Sequence, residues 1–244
     1  MKTFSGDLAI LNDLASKKKP FAVVRFGDGE FTIIRDRRID LRGKCMGEYK
    51  YDPNDKKDRE LRDLLIDSIS YKSPNYWVGI VCSCCGGNNV HNGMLKKVQS
   101  VPTWANIFVN SNYTYYKRTF LPTIIKNYKI VLVCNKKASL KRLPFKPVKV
   151  FTVGTNSWRE DFDLINELVS FMEHKEGHAI LVCAGPFSNI LVYKVWLANP
   201  NNVVINAGST LDPLFFNRRT RKYHNPSSKT ANKTCIWGPW IPKK

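Results

Sequence analysis

Short apolar runs alternate along this chain with stretches whose apolar residues fall at helical spacing. Phe21–Phe26, Tyr76–Val81, Trp104–Val109, Lys129–Cys134, Val148–Val153, His178–Cys183 and Val203–Asn206 are too short for helices and are bounded by turn residues, so they predict strands. Between them the spacing predicts helices. Ser5 to Ser16 places Leu8, Leu11, Leu14 and Ala15 on one face, with Ser5 or Asp7 near the cap. Asn54 to Ser70 carries Leu61, Leu64, Leu65 and Ile69 at the same spacing. Further helices are expected over Phe31–Ile34, Val90–Gln99 and Tyr113–Lys126, and from Gly185-Pro186 to about Leu197. Another should begin near Trp158, capped by Thr155-Asn156-Ser157, with Glu160 and Asp161 in its first turn. Lys136 to Lys146 reads as a short basic helix and loop.

This alternation predicts an α/β fold. We expect a Rossmann-like, mostly parallel sheet of about six or seven strands with helices on both faces. Strands that are apolar throughout agree, because parallel strands are buried on both sides. The segment Arg35–Pro53 is polar and reads as an excursion over a ligand site, where Lys44, Glu48 and Lys50 could meet a ligand. From Ala207 onward the chain is irregular, ending in Trp237-Gly238-Pro239-Trp240, and is expected to wrap across the carboxyl-end face of the sheet. No repeat, low-complexity run or linker interrupts it, so residues 1–244 read as a single domain.

Charge changes the picture of partners. Lysines and arginines outnumber acidic residues 39 to 20, a net charge of +19 that favours anionic partners: nucleic acid, an anionic membrane surface or phosphorylated substrates. No zinc-finger spacing, RNA-recognition signature or clear recognition helix accompanies it. No run approaches the roughly 20 apolar residues of a membrane span, and Asp7 and Asp13 argue against a secretory signal at the start. Of seven cysteines, Cys82, Cys84 and Cys85 cluster, and reduced thiols are expected. With His91 they could supply four zinc ligands, although the spacing matches no standard knuckle. Cys134 and Cys183 end apolar runs and read as buried small hydrophobes. Asn112-Tyr113-Thr114 and Asn232-Lys233-Thr234 match glycosylation sequons, which carry no meaning in a cytosolic chain.

The densest chemistry follows the first strand, in Arg25-Phe26-Gly27-Asp28-Gly29-Glu30. Gly27 and Gly29 let a ligand approach the main chain. Asp28 and Glu30 are hard oxygen ligands suited to Mg²⁺ or Mn²⁺ that also holds phosphate oxygens. Arg25 adds a forked cation for phosphate or for those carboxylates. Together they predict a metal–diphosphate site at the carboxyl end of a strand. As a plain turn, Gly-Asp-Gly would do no more than bond nearby amides. Later in the chain, the helix after Gly185 points its first amides where a diphosphate could sit. Asn156 is either a cap or a group that holds a base or sugar hydroxyl. Asp212, six residues past the last strand, is a candidate general base for an acceptor hydroxyl, and Arg219 and Arg221 are candidates for phosphate or acceptor.

RFGDGE resembles the signature of bacterial GT-D-type glycosyltransferases, a group first catalogued as a domain of unknown function. There a D-x-E motif replaces the D-x-D of other nucleotide-sugar transferases. Thr155-Asn156-Ser157-Trp158 is similar to that family's Asn-small-aromatic segment, and Ile180 to Tyr193 to its late strand–Gly-Pro–helix unit. Where the bacterial pattern has a Gly-His-acidic segment, this chain has Gly208-Ser209-Thr210-Leu211-Asp212-Pro213. The resemblance implies a metal-dependent glycosyltransferase in the cytoplasm, moving a sugar from a nucleoside-diphosphate sugar, a UDP-sugar first, to a hydroxyl of a glycan or glycoconjugate. Asp28 and Glu30 would hold Mn²⁺ or Mg²⁺ against the diphosphate, assisted by Arg25 and the Gly185 helix terminus. The alternatives are a basic nucleic-acid-binding protein, suggested by charge and interleaved aromatics, and another metal-dependent phosphoryl or nucleotidyl enzyme. Peripheral contact with the cytosolic face of an anionic membrane is compatible with the charge.

Overall fold

The computed structural model describes residues 6–41 and 49–231. Lys44, Glu48, the Asn232 sequon and the Trp237–Trp240 segment lie outside the described residues. Nine strands occur among those described: β1 (Phe21–Phe26), β2 (Ile39–Asp40), β3 (Lys50–Tyr51), β4 (Tyr76–Ile80), β5 (Val101–Trp104), β6 (Lys129–Asn135), β7 (Lys149–Val153), β8 (His178–Val182) and β9 (Val203–Asn206). Seven form one sheet in the order β5-β4-β1-β9-β8-β6-β7, and β2 and β3 pair as a small antiparallel ribbon. Every pairing in the large sheet is parallel. The fold is the expected α/β, Rossmann-like one.

The helices are α1 (Gly6–Ser16), α2 (Asp28–Ile34), α3 (Lys56–Ser70), α4 (Ser83–Gly86), α5 (Asn88–Leu95), α6 (Tyr113–Tyr115), α7 (Leu121–Asn127), α8 (Ser157–Glu160), α9 (Leu164–Met172), α10 (Phe187–Ala198) and α11 (Asp212–Phe216). A π-helical segment, Tyr116–Phe120, joins α6 to α7.

Strand alternation distributes the core. Ala22, Val24 and Phe26 of β1 face a cluster with α2, α3, α9 and α10, whereas Phe21 and Val23 face α1, α7 and the π-helical segment. Residues of β6, β8 and β9 divide the same way, so each strand buries both sides. The segment after β9 joins the second cluster through Leu211, Phe215 and Tyr223.

Three expectations need correction. The third strand lies at Val101–Trp104 rather than Trp104–Val109. Pro102 is tolerated there because β5 is the sheet's edge, and the apolar run Ile107-Phe108-Val109 is buried as a turn instead. Residues 136–146 form turns rather than a basic helix; Pro144 and Pro147 disfavour continuing one. The helix expected at Val90–Gln99 is α5, which starts earlier and stops at Leu95, and the Cys82–Asn89 loop before it holds one further helical turn, α4, separated from α5 by Gly87 at φ +80°. The tyrosines of residues 113–116 pack inward: Tyr113 meets Tyr223 edge-on at 5.1 Å and donates to the Thr210 carbonyl at 3.1 Å. Asn112 is fully buried with its amide on the Ile107 carbonyl, which shields that sequon. Among the described residues, no helix is long and apolar enough to cross a membrane.

Candidate active site

β1 and β9 lie side by side at the centre of the sheet, where the strands of the chain's first half meet those of its second. Ligands of open α/β sheets bind outside the carboxyl ends at such a seam. The two strands pair through Val23↔Ile205, and beyond that point side chains take over from the ladder. Asn189 of α10 accepts from the Arg25 amide at 2.8 Å and donates to the Arg25 carbonyl at 2.9 Å. The Asn206 amide donates to the Asn189 oxygen at 2.7 Å. Both asparagines are buried, so Arg25 is held at both backbone groups by a fully paired side chain. Sequence reasoning missed this pair. The available signal was two polar residues, Ser188 and Asn189, directly ahead of the apolar run Ile190-Leu191-Val192 of α10.

Replacing Asn189 with Leu keeps the branched shape but strands the Arg25 N–H and C=O in the interior. Unfolding by denaturant should show a loss of about 3 kcal/mol. A variant within about 0.5 kcal/mol of the parent would show that the amide does not hold β1.

Arg25 sits over the Phe108 ring, 5.7 Å from its centroid. Its Nε donates to the Ala105 carbonyl at 2.6 Å, and Nη1 lies 3.5 Å from the carbonyls of Asn206 and Ala207. The sequence suggested a phosphate ligand; the structure also gives Arg25 the task of tying β9 to the turn after β5. Burial pulls its pKa down from the usual guanidinium value, against the pull of nearby Tyr223 and Glu30.

The first turn of α2 carries both carboxylates of the loop. Glu30 turns back so that one oxygen accepts from the Gly27 amide at 2.9 Å, an N-terminal cap. Asp28 is exposed and accepts from the Gly29 amide at 3.0 Å. Burial raises the Glu30 pKa, opposed by backbone amides, and Asp28 beside it raises it further. A neighbouring cation would reverse that last effect. Gly29 lies against Tyr49, whose hydroxyl a Cβ at this position would strike.

A cavity of about 670 Å³ opens over these carboxyl ends. Arg25, Gly27, Asp28, Glu30, Gly185, Asp212 and Arg221 of the expected residues line it. Gly185, at φ +57°, leads into α10 beside Pro186. Arg218 lines the cavity and was not foreseen, whereas exposed Arg219 next to it does not. Gly29 is also outside the lining. Asn156 occupies the cap position of α8 without capping it, and its oxygen accepts from the Lys50 amide at 3.3 Å, fixing the β2–β3 ribbon. Its neighbours Thr155 and Ser157 line the cavity instead. Lys50 places its amine 3.9 Å from Asp52. Cys134 is buried, but Cys183 lines the cavity and burial pushes its thiol pKa well up.

The segment after β9 does cross the carboxyl-end face. Asp212 opens α11, is 8% exposed, and accepts from the Thr220 hydroxyl at 2.5 Å. Burial lifts its pKa to about 6, with Thr220 and Arg221 opposing. That value suits a group that must be ionised yet basic near neutrality. His224 accepts from the Arg221 amide through Nδ1 and meets the Ser209 carbonyl through Nε2 at 3.0 Å, the pattern of a neutral imidazole. Burial takes its pKa down to about 4.

The donor set of the Gly27–Glu30 loop fits a hard divalent cation: two carboxylates, with no third metal-ligating side chain gathered beside them among the described residues. Mg²⁺ and Mn²⁺ commonly take their remaining ligands from phosphate and water. Asp28 and Glu30 would hold it, with the Glu30 oxygen not engaged by Gly27.

A family model described as a GT-D fold-like domain matches residues 8–214. A solved structure described as domain of unknown function 1792 with a distinct glycosyltransferase fold is similar at 15% identity and a TM-score of 0.51, covering 83% of this chain and 77% of that one. Another, described as a new glycosyltransferase (DUF1792) from Streptococcus sanguinis, is similar at 16% identity and a TM-score of 0.57, covering 94% of this chain and 91% of that one. At these identities the likeness concerns the fold. No curated protein matches the chain by sequence.

Proposed function

This chain belongs to the family of GT-D fold-like domains, and from that premise we propose that it is a metal-dependent glycosyltransferase using a nucleoside-diphosphate sugar. The observation that carries the reading is one cavity lined both by Asp28 and Glu30, from the start of the chain, and by Asp212, Arg218 and Arg221, from its end. The first pair suits a cation and diphosphate; the second group suits an acceptor hydroxyl and the charge of a leaving phosphate. A divalent cation held by Asp28 and Glu30 would offset charge on the departing nucleoside diphosphate.

In an inverting transfer, the acceptor oxygen forms a bond to the anomeric carbon as the bond from that carbon to the phosphate oxygen breaks. The bonding pair leaves with the nucleoside diphosphate, and Asp212 takes the acceptor proton. Arg218 and Arg221 favour the charge on the leaving group, and the α10 terminus at Gly185 offers amides to it. A glycan or glycoconjugate is the acceptor we assign, and the net charge of +19 suits one that is anionic or sits at an anionic membrane face. We place the reaction in the cytoplasm, where nucleotide sugars are the donor pool of this reading.

The test is a thermal-shift screen of nucleoside diphosphates and their sugars, UDP and UDP-sugars first, with and without Mn²⁺. At a hundredfold excess over Kd a ligand of the native state adds about 2.7 kcal/mol, a shift of several degrees. One nucleoside diphosphate should stabilise the protein only with metal. The absence of a shift with every nucleotide, with and without metal, would overturn the reading.

A further inference from the structure

Beside that cavity, where β4 ends, the structure gathers three thiols that the proposed transfer does not use. Cys82 is buried at the position before α4, and Cys84 and Cys85 are exposed on its single turn. Their sulfurs all lie within 4.8 Å of one another. Cys82 and Cys84 approach to 2.9 Å, well beyond the ~2.05 Å of a disulfide.

We propose that Cys82, Cys84 and Cys85 bind one thiophilic metal ion, Zn²⁺ foremost, as a three-thiolate site. At Zn–S bonds of about 2.3 Å, tetrahedral geometry places sulfurs ~3.7 Å apart, which lies between the 2.9 Å of Cys82–Cys84 and the 4.8 Å within which all three lie. Soft sulfur donors separate such an ion from the hard cation expected at Asp28 and Glu30. Binding replaces three S–H protons with three S–metal bonds and releases the protons to solvent. The fourth coordination place goes to water. His91, the fourth ligand suggested by the sequence, is not in the group; its Nδ1 meets the Val81 carbonyl at 2.9 Å, and its ring stacks on Trp104.

The backbone is already shaped for this. The amides of Cys85 and Gly86 both bond the Cys82 carbonyl, at 3.0 and 2.9 Å, which winds the three cysteines round one turn. Gly87, at φ +80°, then redirects the chain into α5. The Asn106 amide donates to the Cys85 sulfur at 3.7 Å, and Asn106 lines the main cavity. Metal at the thiols would therefore brace a loop that borders the transfer site.

The full chain, reduced and freed of metal, is titrated with Cd²⁺ alone and with Zn²⁺ alone. The readouts are the ultraviolet thiolate-to-cadmium charge-transfer band and the metal content of the desalted protein. One equivalent per chain is expected, retained in the C45S/C235S variant and weakened at least tenfold in C84S/C85S. Both replaced thiols are exposed, so that variant should fold; an unchanged melting temperature without metal verifies it. No stoichiometric band would overturn the proposal. So would a band that survives in C84S/C85S, or a Cys82–Cys84 disulfide in the metal-treated protein.

Discussion

Asp28→Asn is expected to cost a factor on the order of 10²–10³ in kcat/KM for sugar transfer while leaving the fold in place. The side chain is exposed and its bond is to the next residue's amide, a bond that the Asn oxygen can also accept. Surface changes of this kind usually stay within about 0.5 kcal/mol of the parent. The variant should therefore melt with the parent yet lose the Mn²⁺-dependent shift with nucleoside diphosphate. Release of nucleoside diphosphate from the donor that passes the thermal screen is the assay. Full activity in Asp28→Asn, with the metal-dependent shift intact, would remove the loop from the metal site.

Asp212→Asn should be nearly as damaging, with a loss of about 10²–10⁴ if the carboxylate takes the acceptor proton. The parent's kcat/KM should rise about tenfold per pH unit up to about 6, the pKa that burial gives Asp212, and level off above it. That rise should vanish in the variant; its persistence would assign the base to another group. Stability gives an independent reading. Asp212 titrates at about 6 in the fold against 3.8 for a free side chain, so it binds a proton more readily when folded and favours the fold as pH falls from 6 towards 3.8. His224 titrates at about 4 against 6.5, so it resists a proton when folded and costs stability as pH falls from 6.5 towards 4. The two oppose each other over nearly the same range. With Asp212 replaced, the His224 effect is no longer offset, and stability should fall by about 3 kcal/mol on acidification through that range, lowering the melting temperature with it. A variant whose pH dependence matches the parent's would refute the pairing.

The fold was legible in the sequence wherever burial on both faces makes a strand apolar throughout. β1, β4, β6, β7, β8 and β9 lie where the apolar runs placed them, within a residue at either end. β5 was misplaced because an edge strand carrying Pro102 looks less like a strand than the buried turn after it. Residues 136–146 have the charge and spacing of a basic helix, but Pro144 and Pro147 keep them in turns. At the site, the loop after β1 was legible because glycine and carboxylate interleave there. The Asn189–Asn206 pair was not, because a buried asparagine is identified only by the backbone groups it meets, here across 164 residues to Arg25. Likewise, Arg218 and Arg219 are indistinguishable until α11 and its left-handed Asn217 decide which faces the cavity.

β9 is the last strand of the sheet to be made, yet it occupies the middle, between β1 and β8. During synthesis the first strand must therefore wait with one hydrogen-bonding edge open until nearly the whole chain has emerged. Pairings across such separations form slowly, since the loop entropy is spent before the contact is made. Meanwhile β1 and β8 are open edges, which invite pairing with other chains. Insertion of β9 closes both edges and, in the same event, carries Asp212 and Arg221 to the loop that bears Asp28. A half-made chain of this design holds only half of the candidate site: the cavity comes into being when the sheet is sealed.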